Sequence, residues 1–238
     1  MKTYCISDIH GHLDNLNRFI KTLDKDDVVY VLGDVIDKGP KPIECLKQIM
    51  EDKRFHMLLG NHEYMMFQML IEEKGTYEYR SAHEQWIGWN CGNDTYKPYM
   101  KLPKYEQIRI MSFIRELPLN IPSLKVGDRE FYLVHSCPNS NVQLRMSDVS
   151  FDDDIIVSYV WDRVTPSTKL NIDNKIVVAG HTFVHEYLGI NAPEVRPVYN
   201  DSSIEKADYI DIDGGLATKL PNSRLIALCL DDLTYQLY

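Results

Sequence analysis

Residues 33–39 read Gly-Asp-Val-Ile-Asp-Lys-Gly, and they directly follow an uninterrupted apolar run at Val28–Leu32. Such a run, with aspartates on its amino-terminal side, predicts a strand buried on both faces of a parallel sheet. Asp34 then stands just beyond the carboxyl end of that strand. Ligands of open α/β sheets bind in the crevice beyond the carboxyl ends of the strands, so Asp34 is a candidate site residue.

The same arrangement, an apolar run followed by polar side chains, occurs four more times along the chain. The runs are at residues 3–6, 55–59, 131–134 and 176–179. If five such strands shared one sheet edge, their ends would bring six side chains together: Asp8, His10, Asp34, Asn61, His135 and His181. This set predicts a metal centre with room for two ions.

Length and composition limit the class of protein. A chain of 238 residues with 44% hydrophobic content is sufficient for a full core, and we expect a single domain over residues 1–238. The amino-terminal stretch is interrupted by Asp8 and His10 and lacks the apolar region of a signal peptide. No apolar run approaches the ~20 residues of a membrane-spanning helix. We therefore expect a cytoplasmic protein without a membrane partner, as a monomer or weak oligomer.

Charge and cysteine content exclude two further classes. The net charge of −9, with no compensating basic stripe, argues against nucleic acid as the main partner. The five cysteines lack C-x-x-C spacing and partly lie inside apolar runs, which predicts buried free thiols and no disulfide framework.

The order of predicted elements indicates an α/β protein with an insertion. Strand, loop and helix alternate through about residue 54, which is typical of a parallel sheet. Residues 64–129 contain no clear strand and are too long for a structureless loop, so they predict a helical cap over the strand ends. We expect the aromatic stretch Trp86–Tyr99 of this cap to form one wall of a cleft. Short, antiparallel strands are predicted at 209–212, 225–230 and 234–237, and the acidic run at 152–154 is predicted to be a solvated loop.

The types of ligand suggest the ions. Carboxylate, imidazole and amide groups without a thiolate suit Mn, Fe or Zn better than Ca or a structural zinc site. Asp8 and His10 are two residues apart, so both point to the same side of an extended backbone and can hold one ion. The two oxygens of Asp34 can bridge this ion to a second one. The second ion would have three further ligands: Asn61, His135 and His181.

Two neighbouring divalent ions are suited to the catalysis of phosphoryl transfer. Two ions about 3.5 to 4 Å apart can share a hydroxide and bind phosphoryl oxygens during in-line attack. His62 lies beside a ligand and is available to protonate the leaving group, and Asp37 could hold its imidazole. Lys38 and Arg163 supply positive charge for the non-reacting phosphate oxygens, and the Asn61 amide is a further candidate phosphate contact.

Five sequence blocks, in this order, resemble the signature of the calcineurin-like metallophosphoesterases. They are Ser7–Gly11 (SDIHG), Gly33–Gly39 (GDVIDKG), Gly60–Glu63 (GNHE), His135 and Gly180–Thr182 (GHT). The closest resemblance is to the phosphoprotein phosphatase family, especially its short bacterial and phage serine/threonine phosphatases and its diadenosine tetraphosphate hydrolases. Residues 212–215 (IDGG) resemble the closing turn of the family, so the resemblance extends over nearly the whole chain.

The resemblance implies a fold, a cofactor and a mechanism. The implied fold is a four-layer α-β-β-α sandwich, and the implied centre holds two divalent ions, most often Mn. Phosphate would pass to water in one step without a phosphoenzyme. The resemblance assigns one ion to Asp8, His10 and Asp34. It assigns the other ion to four residues, namely Asp34, Asn61, His135 and His181, and it makes His62 with Asp37 the acid pair.

Two segments depart from the pattern of the family, and a third matches it only over a short stretch. Lys38 stands where the family usually has arginine, which keeps the charge but loses the bidentate geometry. Ser136 and Cys137 follow His135 where small residues, often glycine, are common in the family. Residues 161–163 (WDR) resemble a Trp-x-Arg segment of bacterial members, and this short match alone places Arg163.

Three functions follow from these patterns. The leading hypothesis is a metal-dependent serine/threonine phosphoprotein phosphatase that attacks phosphomonoesters with a metal-bridging hydroxide and uses His62 as general acid. The alternative is a symmetrical diadenosine tetraphosphate hydrolase, whose cap would stack adenine on aromatic side chains. A non-catalytic binding scaffold fits poorly, because every expected ligand and His62 are present.

Overall fold

The computed structural model describes residues 1–149, 154–165, 167, 168, 170, 172 and 174–238. Residues 152 and 153 of the predicted acidic loop lie outside the described residues, and Asp154 begins a helix, whereas a loop was expected. The ten strands of the described part are β1 (Thr3–Ile6), β2 (Val28–Val31), β3 (Phe55–Met57), β4 (Asn120–Val126), β5 (Arg129–Val134), β6 (Ile176–Ala179), β7 (Val198–Tyr199), β8 (Tyr209–Asp211), β9 (Ile226–Cys229) and β10 (Tyr235–Leu237).

The α-helices of the described part are α1 (Leu13–Ile20), α2 (Pro42–Glu51), α3 (Asn61–Ile71), α4 (Tyr77–His83), α5 (Asn93–Met100), α6 (Lys104–Arg115), α7 (Asp154–Val160) and α8 (His185–Leu188). A π-helix at Glu84–Trp89 lies between α4 and α5. None of the helices in the described ranges is both long and apolar enough to cross a membrane. The five cysteines are free, as predicted, but Cys91 is exposed and Cys137 is half-buried, whereas buried thiols were expected.

The strands form two mixed sheets of five strands each. In the first sheet the order is β10-β9-β1-β2-β3, with β1, β2 and β3 parallel and β9 antiparallel to β1. In the second sheet the order is β4-β5-β6-β8-β7, with β5, β6 and β8 parallel and both edge strands antiparallel to their neighbours.

Side chains that alternate between the two faces of each strand separate the core into two layers. Cys5, Leu133 and Val178 belong to one buried cluster that is built from both sheets. Their neighbours in sequence, such as Ile6 and Val134, belong to a second cluster that includes the helices. Because successive strand residues point to opposite faces, each central strand packs on the other sheet with one face and on helices with the other. The predicted α-β-β-α sandwich is confirmed.

Three details differ from the sequence predictions. The helices of the cap end at Arg115 and not near residue 129, because residues 120–126 form β4 and pair with β5. β8 runs parallel to β6, whereas an antiparallel strand was expected. In β2, Val29 and Val31 are buried while Val28 and Tyr30 are only half-buried, so this strand is less enclosed than its apolar composition suggested.

Candidate metal centre

A cavity of about 300 Å³ lies at the carboxyl ends of the central strands. Of the predicted site residues, eight line it: Asp8, His10, Asp34, Lys38, Asn61, His62, Arg163 and His181. The other two, Asp37 and His135, are fully buried and contact His62 and Asn61 respectively. The strand ends belong to two sheets and not to one edge as expected, because β5 and β6 pair with each other and not with β3. The sandwich nevertheless brings all of these residues together.

The turns after the strands are unusual in their backbone conformation. Asp8, His10, Asp34 and His181 have φ values of 52°, 44°, 54° and 67°, in the left-handed region that side chains other than glycine seldom adopt. Gly33, just before Asp34, has a φ of 103°, and a Cβ there would lie 2.6 Å from the Cα of Gly60. The chain thus turns sharply after β1, β2 and β6, where these four side chains line the cavity. Conformations of this kind are concentrated at functional sites.

Asp34 is the centre of the cluster. Its Oδ2 atom lies 3.6 Å from Nε2 of His10 and 3.9 Å from Nε2 of His62. Its Oδ1 atom lies 3.6 Å from Nε2 of His135. Oδ2 therefore faces two imidazoles and Oδ1 faces a third, all at distances too long for a hydrogen bond. This is the arrangement expected of a carboxylate that bridges two ions.

The imidazoles are oriented by the backbone. Nδ1 of His10 donates to the carbonyl of Ile36 at 2.9 Å, and Nδ1 of His135 donates to the carbonyl of Leu32 at 2.7 Å. In a neutral ring the opposite nitrogen, Nε2, then carries a lone pair. Nε2 of His135 also lies 3.0 Å from Oδ1 of Asn61, which is another acceptor. A cation between such acceptors satisfies all of them, and a backbone contact at Nδ1 is typical of metal-binding histidines.

His181 provides the second observation that fits a metal. Its Nε2 atom is buried and has no hydrogen-bond partner among the described residues. Its backbone N–H donates to Oδ2 of Asp8 at 3.0 Å, and its ring lies 5.0 Å from that of His135. Ligand atoms of Asp34, His135 and His181 lie within 4.8 Å of one another, and so do those of His10, Asp34 and His62. The donor set therefore fits divalent ions on both sides of Asp34.

Burial shifts the pKa values of these groups away from their usual range. Burial raises the pKa of Asp34 well above its usual value, and the Asp8 carboxylate raises it further. The pKa of Asp213, which also lines the cavity, is raised by the same two causes. Burial lowers the pKa of His10, and it lowers that of His181 to about 2. Bound cations would favour the ionised carboxylates and the neutral imidazoles that this site requires.

Glu63 supports the Asp34 turn, a role that sequence reasoning did not assign. One oxygen of its carboxylate accepts the N–H groups of Asp34 and Gly60 at 2.9 and 3.2 Å. The other accepts those of Val35 and Ile36 at 2.9 and 3.2 Å. The glutamate is fully buried, and burial raises its pKa to about 8. The only sequence signal for this role was its place in the Gly-Asn-His-Glu block.

His62 and Asp37 form a buried pair beside the centre. Nδ1 of His62 lies 2.6 Å from Oδ2 of Asp37, and its Nε2 is on the side of Asp34. Two residues of the cap also donate to the Asp37 carboxylate: Nε1 of Trp86 at 2.7 Å and Oγ1 of Thr95 at 2.5 Å. Burial raises the pKa of Asp37 to about 7, although both hydrogen bonds act to lower it.

The aromatic part of the cap differs from its predicted role. Trp86 is fully buried and does not line the cavity, and Trp89 is 71% exposed. Asn90 is the residue of this stretch that lines the cavity. Neither Trp86 nor Thr95 was predicted to contact Asp37, because nothing in the local sequence of either residue indicates that contact.

The predicted cationic residues lie at the mouth of the centre. Lys38 and Arg163 both line the cavity. One terminal nitrogen of Arg163 donates to the Thr182 hydroxyl and to Glu186, each at 3.2 Å. These contacts orient the guanidinium at the rim, where it can reach an anionic group in the cavity.

Divalent ions should stabilise the fold. An ion that binds one site of the folded protein stabilises it by roughly 2.7 kcal/mol when its concentration is a hundredfold above Kd. We therefore expect saturating Mn²⁺ to raise the Tm of the metal-free protein by about 5 to 11 °C. Thermal unfolding followed by circular dichroism with and without Mn²⁺ measures the shift. Asp34→Asn should abolish most of it, whereas Asp201→Asn, at an exposed aspartate, should respond like the wild type. An equal shift in both variants would contradict a centre at Asp34.

Comparisons with known proteins relate this chain to phosphoesterases. The model of the calcineurin-like phosphoesterase family matches residues 1–185. A Delftia acidovorans protein named bis(5'-nucleosyl)-tetraphosphatase, symmetrical, is 26% identical over 140 residues, which are 57% of this chain and 44% of that protein. Related proteins of the same name are matched over 24% to 44% of their length, so the chain spans less than half of each.

Solved structures with the same fold cover nearly the whole chain. A metallophosphoesterase from Sphaerobacter thermophilus has a TM-score of 0.56 at 16% identity, covering 100% of this chain and 88% of that one. A cold-active protein-tyrosine phosphatase from a Shewanella species has a TM-score of 0.55 at 17% identity, covering 99% and 80%. At these identities the likeness concerns the fold alone.

Proposed function

Because the chain belongs to the calcineurin-like phosphoesterase family, we propose that it hydrolyses phosphoesters at the centre around Asp34, with His62 as general acid. The observation that supports this proposal most directly is the 2.6 Å contact between Nδ1 of His62 and Oδ2 of Asp37, in a ring whose Nε2 is near Asp34. A ring held in this way can present a proton at Nε2 to a leaving group beside the centre.

The proposed ligands divide between two divalent ions. Asp34 is shared, and the remaining residues are Asp8 and His10 for one ion, and Asn61, His135 and His181 for the other. When bound, these ions supply Lewis-acid charge for the phosphoryl oxygens and lower the pKa of the attacking water. Mn²⁺ is the proposed ion, with iron or zinc as alternatives, because the donors are carboxylate, imidazole and amide groups.

The acid pair acts through the two ring nitrogens of His62. Nδ1 keeps its proton in the hydrogen bond to Asp37, so the transferable proton is at Nε2. Burial lowers the pKa of His62 well below its usual value, and the charge of Lys38 lowers it further. An arriving phosphate dianion supplies the opposing negative charge, which favours the protonated ring when substrate is present. Lys38, Arg163 and the Asn61 amide would bind the non-reacting phosphate oxygens.

The proposed substrates are phosphoserine and phosphothreonine in proteins. Cleavage of these monoesters expels an alkoxide, which is a strong base and must be protonated as it leaves. A dedicated acid such as the pair of His62 and Asp37 is of most use for such a leaving group. A phosphoanhydride expels a weaker base, so it depends less on an acid.

A second candidate is symmetrical hydrolysis of dinucleoside tetraphosphates. It is favoured by the name of the Delftia acidovorans relative and its counterparts, which match this chain over part of their length. The same two ions and the same acid pair would serve this reaction. The two candidates differ in the group that occupies the space beyond the phosphate.

A direct comparison of substrates separates the two candidates. We expect kcat/KM in Mn²⁺ to be at least about tenfold higher, a difference of ~1.4 kcal/mol in transition-state binding, for a phosphothreonine peptide than for diadenosine tetraphosphate. Faster cleavage of the dinucleotide would replace the first candidate with the second. If neither substrate is cleaved by protein that holds two ions, both candidates fail and a binding scaffold remains.

A further inference from the structure

Within the described part of the chain, the side chains other than His62 that hydrogen-bond to the Asp37 carboxylate both belong to the cap. Oδ2 accepts from Nε1 of Trp86 at 2.7 Å, and Oδ1 accepts from Oγ1 of Thr95 at 2.5 Å. Oγ1 of Thr95 also accepts the Asp37 backbone N–H at 2.9 Å. A single hydroxyl therefore binds both the backbone and the side chain of Asp37, which fixes the residue at two points.

Trp86 donates to the same Asp37 oxygen that accepts the hydrogen bond from His62. Oδ2 of Asp37 accepts from Nδ1 of His62 at 2.6 Å and from the indole at 2.7 Å. Rotating the carboxylate would break both hydrogen bonds and also the one from Thr95. All four groups are buried, with exposures between 0% and 1%, so water cannot replace a lost partner without a rearrangement. The direction of the His62 ring is thus coupled to the cap.

Trp86 is itself held firmly. A Cβ placed on Gly92 would lie 2.7 Å from three atoms of the indole, so the glycine allows the backbone to pack directly on the ring. The Gly92 N–H donates to the Trp86 carbonyl at 2.9 Å, and the Tyr96 ring meets the indole edge-on at 6.2 Å. Trp86 lies in the π-helix at Glu84–Trp89. Such helices are rare in proteins, and those that occur are often at functional sites.

We propose that Trp86 and Thr95 are positioning residues for acid catalysis, which hold the Asp37 carboxylate so that His62 presents Nε2 to the leaving group. This inference rests on the proposed function of the same site. In this proposal the cap contributes to catalysis by orienting Asp37 and, through it, His62, in addition to any contact that the cap makes with substrate.

Removing one hydrogen bond while keeping the ring tests Trp86. Trp86→Phe is expected to lower kcat for an alkyl phosphate by about tenfold, which is part of the 10²- to 10⁴-fold effect of a general acid. The loss for p-nitrophenyl phosphate should be less than about threefold, because that leaving group needs little protonation. KM should change little for either substrate. The matched control is Trp89→Phe, the same change at an exposed tryptophan three residues further along the chain.

Two substitutions at Thr95 separate the hydroxyl from side-chain volume. Thr95→Val keeps the shape and removes the hydroxyl, so it should reproduce the selective loss on the alkyl phosphate. Thr95→Ser keeps the hydroxyl and should restore most of the activity. Equal losses in both variants would indicate that packing matters and the hydrogen bond does not, which would contradict a positioning role for Thr95.

A spectroscopic measurement tests the same contacts without turnover. In ¹⁵N-histidine-labelled, metal-free protein, the Nδ1 proton of His62 should give a resonance that is absent in His62→Asn. We expect Trp86→Phe to shift this resonance and Trp89→Phe to leave it unchanged. An unshifted resonance, or equal loss of kcat on both phosphates in Trp86→Phe, would overturn the inference. If the wild type cleaves neither phosphate, the proposed function fails, while the resonance still reports whether Trp86 orients the pair.

Discussion

Replacement of His62 by asparagine should lower kcat for an alkyl phosphate by about 10²- to 10⁴-fold, the usual contribution of a general acid. The loss should be much smaller for an aryl phosphate. The physical reason is that an alkoxide cannot leave without a proton, whereas a nitrophenolate can. Steady-state kinetics on the two substrates at saturating Mn²⁺ measure the difference.

The metal content of the His62→Asn variant shows whether His62 is a general acid or a metal ligand. A ring nitrogen of His62 lies within 4.8 Å of ligand atoms of His10 and Asp34, so His62 could in principle bind an ion. Its other nitrogen is bound to Asp37 and not to a backbone carbonyl, which differs from His10 and His135. We expect His62→Asn to retain two ions by elemental analysis. Loss of an ion together with equal rate losses on both substrates would make His62 a ligand; His83→Asn, at an exposed histidine of the cap, serves as the control.

Replacement of Glu63 by alanine should lower the free energy of unfolding by about 4 kcal/mol or more, at ~1 kcal/mol for each of four backbone N–H groups left without an acceptor. These are the N–H groups of Gly60, Asp34, Val35 and Ile36, which lie in buried surroundings. A loss of this size is a large part of the total stability of a typical domain, ~5 to 15 kcal/mol. Urea unfolding of the metal-free protein measures it.

Two further variants show whether the effect belongs to the carboxylate. Glu63→Gln keeps one acceptor oxygen and places an amide donor against the other N–H groups, so its stability should be intermediate. Glu73→Ala, at an exposed glutamate just beyond the end of the same helix, should unfold like the wild type. If Glu63→Ala and Glu73→Ala unfold alike, the Asp34 turn does not depend on this carboxylate.

The fold could be predicted largely from sequence because its signals are local. Each apolar run is short and followed by a turn, which is enough to predict strands whose carboxyl ends share a crevice. The helical cap was predicted from the lack of strands, but its end was not, since β4 contains Pro122 and polar residues and has no clear apolar run. The division into two sheets also could not be read from the runs. A strand's pattern shows which of its faces are apolar, but not which layer will cover them.

The residues of the candidate site likewise include some that the sequence predicts and some that it does not. The sequence by itself determined which polar residues follow the strands, and so the candidate ligands that are grouped around Asp34. Only the tertiary structure decided that Trp86 and Thr95, which are 49 and 58 residues away from Asp37 in the chain, complete its hydrogen bonds. The physical reason is range: a strand and its turn are specified by neighbouring residues, whereas a hydrogen bond between the cap and the sandwich exists only after both have packed. Such a contact has no spacing or periodicity by which a single sequence could reveal it.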